Sequence, residues 1–151
     1  MDESGINNND VYPYAWGFKG KRIEGLKLGR HSQRLSIISG LNRQKLIAPF
    51  VFDGHCNSEV FCTYLKKVLI KEVKPGQTII MDNASFHKSK KVKRIIKKAK
   101  CNLLYLPRYS PDLNPIEHKW FGLKSKIKKY ITLCNNDLYK CCEHVFKKGK
   151  L

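Results

Sequence analysis

Residues 78–131 read TIIMDNASFHKSKKVKRIIKKAKCNLLYLPRYSPDLNPIEHKWFGLKSKIKKYI. A short apolar run at residues 78–81 ends in Asp82, and a second one at residues 103–106 leads into a proline-rich loop. Between them, residues 89–100 carry apolar side chains at helical spacing on an otherwise basic segment. Strand, helix and strand in this order predict a βαβ unit with parallel strands. Asp82 would then lie at the carboxyl end of a strand, where α/β sheets open their ligand crevice.

A second helix is predicted after the loop. We expect Asn114 to cap it and Pro115 to take its first position, which proline tolerates well. Glu117 then falls in the first turn. The predicted buried stripe of this helix consists of Ile116, Trp120, Leu123, Ile127 and Ile131.

The segments before residue 78 predict two strands and a helix. Residues 35–39 and 46–52 are β-prone, and residues 40–42 suit the turn between them. Asn57 or Ser58 is a plausible N-cap for an amphipathic helix that ends before Pro75. The predicted buried face of that helix consists of Val60, Phe61, Tyr64, Leu65, Val68 and Leu69.

The two ends of the chain give weaker signals. Residues 3–10 are polar and rich in Asn, which predicts a loop, and residues 11–18 suit an extended or edge segment. Residues 20–27 predict a loop or the rim of a strand. The basic tail at residues 132–151 has only a weak helical pattern. Nothing before Asp2 could form a strand that carries it.

Length and composition predict one globular domain outside the membrane. The chain has 151 residues, and no apolar run reaches the roughly 20 residues that a spanning helix needs. The first ten residues lack the regions of a signal peptide, so we expect a cytoplasmic, nucleoid-associated protein. The six cysteines contain no C-x-x-C pair, which favours reduced thiols over a zinc site.

The net charge of +18 favours a polyanionic partner. Such a surplus attracts nucleic acid and releases its counterions, although solvated basic faces alone would give the same composition. Arg108, Tyr109 and Ser110 lie in the rigid loop, where they could contact phosphate, stack on a base, or simply pack. The candidate DNA-binding residues are Lys88, Lys90, Lys91, Arg108, Tyr109, Lys119 and Lys124.

Each candidate acid also has a plain structural explanation. Asp82 could form an Asx turn, Glu117 could complete a capping box with Asn114, and Asp2 could be an exposed acid near a terminus. Asp53 and Asp112 are alternates that suit local turns. His87 and His118 flank the acids; they could bind phosphate or orient a carboxylate, or be ordinary hydrogen-bonded histidines.

Carboxylates from distant segments are what phosphodiester chemistry needs. Two divalent ions about 3.5–4 Å apart can activate a water and stabilise the leaving oxygen. Hard ions of this kind prefer carboxylate oxygens, with waters and phosphate oxygens in the remaining positions. An acid at the end of a strand and another at the start of a helix can face one pocket.

Two strings resemble the catalytic domain of mariner-type insertion-sequence transposases. They are MDNASFHKSKKV and LPRYSPDLNPIEHKWFGLK, and DESG at residues 2–5 resembles the first acidic motif of the same family. Asp82 and Glu117 have 34 residues between them, a spacing typical of that family. The family belongs to the Asp-Asp-Glu (DDE) superfamily, which has a ribonuclease-H-like fold.

The resemblance implies a metal-binding catalytic triad of Asp2, Asp82 and Glu117. It further implies two magnesium or manganese ions, cleavage of DNA at transposon ends, and joining of the freed 3′-hydroxyl to target DNA. A homodimer would pair the two ends. The motif positions that shape the pocket are Asn83, His87, Pro111, Asn114 and Pro115.

Family members carry an upstream helix-turn-helix region that recognises transposon ends, and the sequence shows none. We therefore expect an α/β, ribonuclease-H-like mixed sheet flanked by helices that lacks its first central strand. Residues 1–131 would form the catalytic domain, with Asp2 poorly positioned, and an upstream-encoded half could supply the helix-turn-helix. The alternatives are an inactive basic DNA-binding remnant, half of a split transposase, and a stand-alone ribonuclease-H-like nuclease.

Overall fold

The computed structural model describes residues 1–7, 17–22, 34–108 and 110–147, apart from the side chains of Pro111 and Thr132. The predictions for residues 8–16, 23–27 and 148–151, and that for Tyr109, lie outside the described residues. Five strands and five α-helices are formed within these ranges. The strands are β1 Asp2–Asn7, β2 Arg34–Asn42, β3 Lys45–Asp53, β4 Thr78–Met81 and β5 Asn102–Tyr105. The α-helices are α1 Ser58–Tyr64, α2 Ile70–Glu72, α3 Lys90–Lys98, α4 Ile116–Tyr130 and α5 Leu138–Lys147.

β1, β2 and β3 form an antiparallel sheet in that order. Asp2 pairs with Ser39, and the register continues to Asn7 opposite Arg34. The loop predicted for residues 3–10 is therefore wrong for residues 3–7, and Asp2 is held by a strand of which it is the first residue. The prediction failed because β1 lacks the alternation of apolar and polar residues that marks a strand, and Ile6 is its one buried hydrophobic residue. Its extended conformation depends on pairing with β2.

The hairpin between β2 and β3 turns later than predicted. Gly40, Leu41 and Asn42 belong to β2, and the turn residues are Arg43 and Gln44, both at positive φ. Gly40 instead marks a shift in register between Ile38 and Gly40. A Cβ at Gly40 would lie 3.1 Å from Cγ1 of Ile47, so the close approach of the two strands there explains the glycine.

One continuous helical segment follows the first sheet. Asn57 caps it as predicted, because its side chain accepts hydrogen bonds from the backbone of Glu59 and Val60. A π-helical stretch, Leu65–Leu69, connects α1 to α2. Phe61, Tyr64, Leu65 and Leu69 are buried, which confirms most of the predicted apolar face.

The predicted βαβ unit is present. β4 and β5 pair in parallel, with Met81 opposite Tyr105, and α3 connects them after an N-cap by Ser89. The backbone nitrogen of Met1 donates to the carbonyl oxygen of Ile80, 2.7 Å away. The start of β1 therefore lies beside the end of β4, and this contact brings the first sheet next to the second.

Two apolar cores cover opposite faces of the sheet formed by β1, β2 and β3. α1, α3 and strands β4 and β5 contribute to one core, which includes Phe61, Met81 and Ile96. The other core contains the whole predicted stripe of α4 together with Leu138, Cys141, Cys142 and Val145 from α5. The weak periodicity of the tail thus marks a packed helix, while a domain boundary at residue 131 stays a prediction.

The structure also bears on the state of the cysteines and on membrane-spanning helices. All six cysteines are free thiols, as predicted. Among the described residues, no helix is both long and apolar enough to cross a membrane.

Candidate active site

Asp2, Asp82 and Glu117 line one cavity of about 420 Å³. Asp2 begins β1, Asp82 follows β4 directly, and Glu117 lies in the first turn of α4. We call this space the acidic cavity. Its other lining residues are Asn83, Ala84, Leu106, Pro107, Arg108, Ser110 and Asn114. The fold therefore brings together all three acids of the predicted triad, although Asp2 is 80 positions from Asp82 in sequence.

Asp2 is buried, with 8% of its surface exposed. Its Oδ2 accepts a hydrogen bond from the indole Nε1 of Trp120, 3.0 Å away. Burial raises the pKa of Asp2 from 3.8 to about 6; the Trp120 hydrogen bond opposes this rise and the negative charge of Glu117 adds to it. The expectation that Asp2 is poorly positioned is wrong, since a strand and a buried tryptophan both hold it.

Asp82 combines the local turn with a longer-range contact. Its Oδ1 accepts from the backbone of Ala84 at 2.9 Å, which is the Asx turn considered from the sequence. The same oxygen lies 2.6 Å from Nδ1 of His87. About half of the Asp82 side chain, 48%, stays exposed. Next to it, the Asn83 amide donates to the carbonyl oxygen of Leu106 and ties the end of β4 to the end of β5.

Glu117 lies one position closer to the helix N-cap than expected. α4 begins at Ile116, its N-cap position is Pro115, and no side chain caps it. The capping box between Asn114 and Glu117 is therefore wrong: the Asn114 carbonyl accepts from the Glu117 backbone at 3.1 Å, but the Glu117 carboxylate makes no hydrogen bond with any described residue. The Glu117 carboxylate is exposed in the first turn of α4 and does not cap the helix, so it is available to a ligand.

His87 is fully buried, with 0% of its side chain exposed, and has a carboxylate at each ring nitrogen. Nδ1 faces Asp82, and Nε2 lies 3.0 Å from Oε1 of Glu3. Burial by itself would lower the pKa of His87, but the hydrogen bonds and charges of Glu3 and Asp82 outweigh it and raise the pKa above its usual value. The sequence left three roles for His87: binding phosphate, orienting a carboxylate, or forming ordinary hydrogen bonds. This geometry favours the second, a histidine that orients a carboxylate.

The alternate acids lie elsewhere. Asp53 ends β3 opposite Leu35, and Asp112 is exposed in the short 3-10 helix Pro111–Leu113; neither lines the acidic cavity. His118 is also exposed and outside the cavity. Asp53 and Asp112 therefore provide matched acids for control substitutions.

The predicted DNA-binding cations are spread over several surfaces. Arg108 is exposed and lines the acidic cavity itself. Lys124 is seven residues after Glu117 on α4, so the two share a helical face, whereas Lys119 lies on another face. Lys91 lines a separate groove of about 790 Å³ between α1 and α3, with Lys66, Arg94 and Lys98. Lys88 and Lys90 are exposed but do not line the cavity.

The donor set of the acidic cavity fits a divalent cation. Three carboxylates from separate elements line it, and both hydrogen bonds given for Asp82 fall on the same oxygen, Oδ1. The charge of Glu117 contributes to the raised pKa of Asp2, a repulsion that a bound cation would relieve. Within the described ranges, however, no three acidic, histidine or cysteine side chains are already as close together as a metal cluster requires.

Sequence reasoning missed two contacts of the site, those of Glu3 and Trp120. Glu3 fell in a segment predicted as a loop, so no face of a strand was assigned to it. Trp120 was predicted only as a core residue. A buried indole N–H usually has an acceptor, and that rule is the signal that could have pointed to a partner.

Similar folds occur in solved transposase and integrase assemblies. The chain superposes on a chain of the Mos1 strand transfer complex with a TM-score of 0.65 and 16% identity, over 96% of this chain and 51% of that one. A Mos1 transposase paired-end complex with the left transposon end gives a TM-score of 0.58 and 14% identity, over 95% of this chain and 50% of that one. A chain of a simian T-cell lymphotropic virus intasome gives a TM-score of 0.57 and 15% identity, over 74% of this chain and 40% of that one. The fold is thus the predicted ribonuclease-H-like one.

The family model described as "DDE superfamily endonuclease" matches residues 1–138, and the chain belongs to that family. A Caenorhabditis briggsae protein described as "Transposable element Tcb1 transposase" is 45% identical over 47 residues, which are 31% of this chain and 17% of that protein. The DDE family that the motifs predicted is thus confirmed, and the chain resembles mariner-type transposases. Use of divalent metal ions is general in this family. The chain spans about half the length of the Mos1 chains it matches.

Proposed function

We propose that this chain is the catalytic domain of a DNA transposase, with Asp2, Asp82 and Glu117 as its metal-binding triad. In the cleavage step, a water oxygen attacks a phosphorus of DNA and the bond from that phosphorus to the 3′ oxygen breaks. The products are a 5′-phosphate and a free 3′-hydroxyl. In the transfer step, that hydroxyl attacks a phosphorus of target DNA, so one phosphodiester bond forms as another breaks.

The observation that carries the proposal is the convergence of three carboxylates on the acidic cavity. Each comes from a different element, and the two sheets meet where Asp2 and Asp82 lie. An arrangement maintained only for stability has no need of a buried acid whose pKa is raised to about 6. Perturbed acids in a cleft are typical of functional sites.

Two magnesium or manganese ions held by these acids would activate the attacking oxygen and stabilise the leaving one. The residues of the chain have separate tasks. Trp120 and the pairing with β2 hold the Asp2 carboxylate toward the cavity. Ala84 and His87 occupy one oxygen of Asp82, which directs the other to the ligand side. Glu117 adds a third carboxylate from α4.

DNA is the proposed substrate and partner, both as transposon ends and as target. Arg108, which lines the cavity, and Lys124, on the Glu117 face of α4, would contact phosphates beside the cleaved bond. Lys88, Lys90, Lys91, Tyr109 and Lys119 are proposed as further DNA contacts. Pairing of two ends by a homodimer and end recognition by an upstream helix-turn-helix half are parts of the same proposal, as is action in the nucleoid.

The test is a nicking and strand-transfer assay with manganese on DNA that carries the ends of the element. Asp82→Asn and Glu117→Gln should each abolish cleavage, while Asp53→Asn and Asp112→Asn, which alter acids outside the cavity, should retain it. Equal activity of all four variants would contradict the proposal. Loss of cleavage in the two control variants as well would show that the assay reports charge or folding instead of the site.

A second candidate function is DNA binding without cleavage. It is supported by the distances among the three acids. In the part of the chain that the structure describes, no three acidic, histidine or cysteine side chains are close enough together to form a metal site without rearrangement. In that case manganese would not bind, DNA would bind in a salt-dependent manner, and Asp82→Asn would leave the affinity for DNA unchanged.

A further inference from the structure

Glu3 and His87 form a buried link between the two segments that carry Asp2 and Asp82. Nε2 of His87 lies 3.0 Å from Oε1 of Glu3, 84 positions away in the sequence. Nδ1 lies 2.6 Å from Oδ1 of Asp82. The three side chains form an unbroken hydrogen-bonded chain from β1 to the end of β4.

The imidazole ring has little freedom to rotate. Phe61 and Phe86 lie against it, with ring centroids 4.3 Å and 4.4 Å away. The hydroxyl of Tyr105 donates to the backbone carbonyl oxygen of His87 at 2.9 Å and makes no hydrogen bond to the ring itself. A ring clamped in this way determines the direction in which its Nδ1 points.

Asp82 is exposed enough to rotate without such a partner, since 48% of its side chain is accessible. The backbone N–H of Ala84 and Nδ1 of His87 both bond to Oδ1, so rotation of the carboxylate would break two hydrogen bonds. The other oxygen is left for the acidic cavity. Supporting hydrogen bonds of this type commonly orient metal ligands and affect metal affinity.

We propose that Glu3 and His87 are positioning residues, which together hold the Asp82 carboxylate in its ligand-binding orientation. His87 acts on Asp82 through Nδ1, and Glu3 acts through His87 by holding Nε2. Glu3 contributes this although it is next to Asp2, because successive side chains of a strand point to opposite faces. The metal-binding part of this inference rests on the proposed function; the orientation of Asp82 does not.

Two substitutions of His87 separate its two hydrogen bonds. His87→Asn places an amide N–H near the position of Nδ1, so it keeps the bond to Asp82 and loses that to Glu3. His87→Gln reaches the position of Nε2, so it keeps the bond to Glu3 and loses that to Asp82. Tyr105→Phe is the structural control, because it removes the bond to the backbone of His87 and leaves both carboxylate contacts in place.

The first measurement is manganese affinity by calorimetric titration. His87→Gln should weaken binding about 10- to 100-fold. His87→Asn should weaken it less, because it keeps the bond to Asp82 and loses only the support from Glu3, and Tyr105→Phe should stay within a few-fold of the wild type. Glu3→Ala, which removes the acceptor at Nε2, should weaken binding in the wild-type background and have no further effect in His87→Gln. Equal losses in His87→Asn and His87→Gln, or additive losses from Glu3→Ala, would overturn the proposal.

The second measurement is the side-chain conformation of Asp82 in crystals without metal. The wild type should show one conformation, and His87→Gln should show a rotated or divided one. If His87→Gln does not fold, Glu3→Ala, which removes the acceptor at Nε2, takes its place with the same expectation. An unchanged Asp82 in the variant that folds would overturn the inference. If the wild type binds no manganese, the proposed function fails while this measurement still decides the orientation.

Discussion

The indole nitrogen of Trp120 donates to Oδ2 of Asp2 across 3.0 Å, although 118 positions separate the two residues in sequence. Trp120 belongs to the buried stripe of α4, and Asp2 begins β1. One side chain therefore serves both the apolar core and the acidic cavity. This contact ties the helix that carries Glu117 to the strand that carries Asp2, so the relative position of two of the three acids depends on core packing.

Trp120→Phe should lower the free energy of unfolding by about 1–3 kcal/mol, because it leaves a buried carboxylate oxygen without its donor. Chemical denaturation at pH 7 measures this effect. The comparison is the same substitution in an Asp2→Ala background, where the partner is already absent and the loss should be clearly smaller. Equal losses in the two backgrounds would mean that the hydrogen bond contributes nothing to stability.

Asp2→Asn should stabilise the metal-free protein at neutral pH. The pKa of Asp2 is raised from 3.8 to about 6 in the folded state, so the folded protein binds the proton more tightly than the unfolded chain does. The cost of holding the charged form is complete above pH 6 and disappears as the pH falls from 6 to below 3.8. A shift of this size corresponds to about 2–3 kcal/mol.

Denaturation in the presence of a chelator at pH 7.5 and at pH 4 tests this pH dependence. The stability advantage of Asp2→Asn over the wild type should be present at the higher pH and largely lost at the lower one. An advantage that is the same at both pH values would assign the effect to packing instead of ionisation.

Tyr64→Phe should leave the protein as stable as the wild type or make it more stable, by up to about 1 kcal/mol. The Tyr64 hydroxyl is fully buried and has no hydrogen-bond partner among the described residues. Removal of an unsatisfied buried polar group also removes the cost of its desolvation. Thermal unfolding provides the measurement, and a clear loss of stability would show that the hydroxyl has a partner in solution.

Phe121→Ala should weaken binding of single-stranded DNA. Phe121 is 80% exposed and lies one helical turn after Glu117, on the face that Lys124 shares. Stacking of a base on an aromatic ring contributes about 1–3 kcal/mol. Fluorescence anisotropy with a labelled oligonucleotide measures the loss. Leu133→Ala is the control, because Leu133 is similarly exposed, at 76%, but lies in the short 3-10 helix after α4.

Local pattern predicted most of the second half of the fold. The buried stripe of α4 and the parallel βαβ unit around α3 were predicted because helical and strand periodicities report which side chains face a core. The same reasoning failed at β1, where Glu3, Ser4 and Gly5 show no apolar alternation and extended structure depends on pairing with β2. It also failed at the hairpin, because the turn formed at Arg43 and Gln44 and Gly40 served close strand packing.

The candidate triad was implied by the family resemblance of the motifs, and the sequence alone showed only that Asp82 follows a predicted strand and that Glu117 lies in the first turn of a predicted helix. The partners of those acids were not readable from the sequence, because a hydrogen bond between residues far apart in sequence leaves no periodic trace. Burial of Asp2 against Trp120, and the link from Glu3 through His87 to Asp82, exist only where the two sheets and α4 meet. Chain composition determined the chemistry that was possible; long-range packing decided which carboxylates are held, and in which orientation.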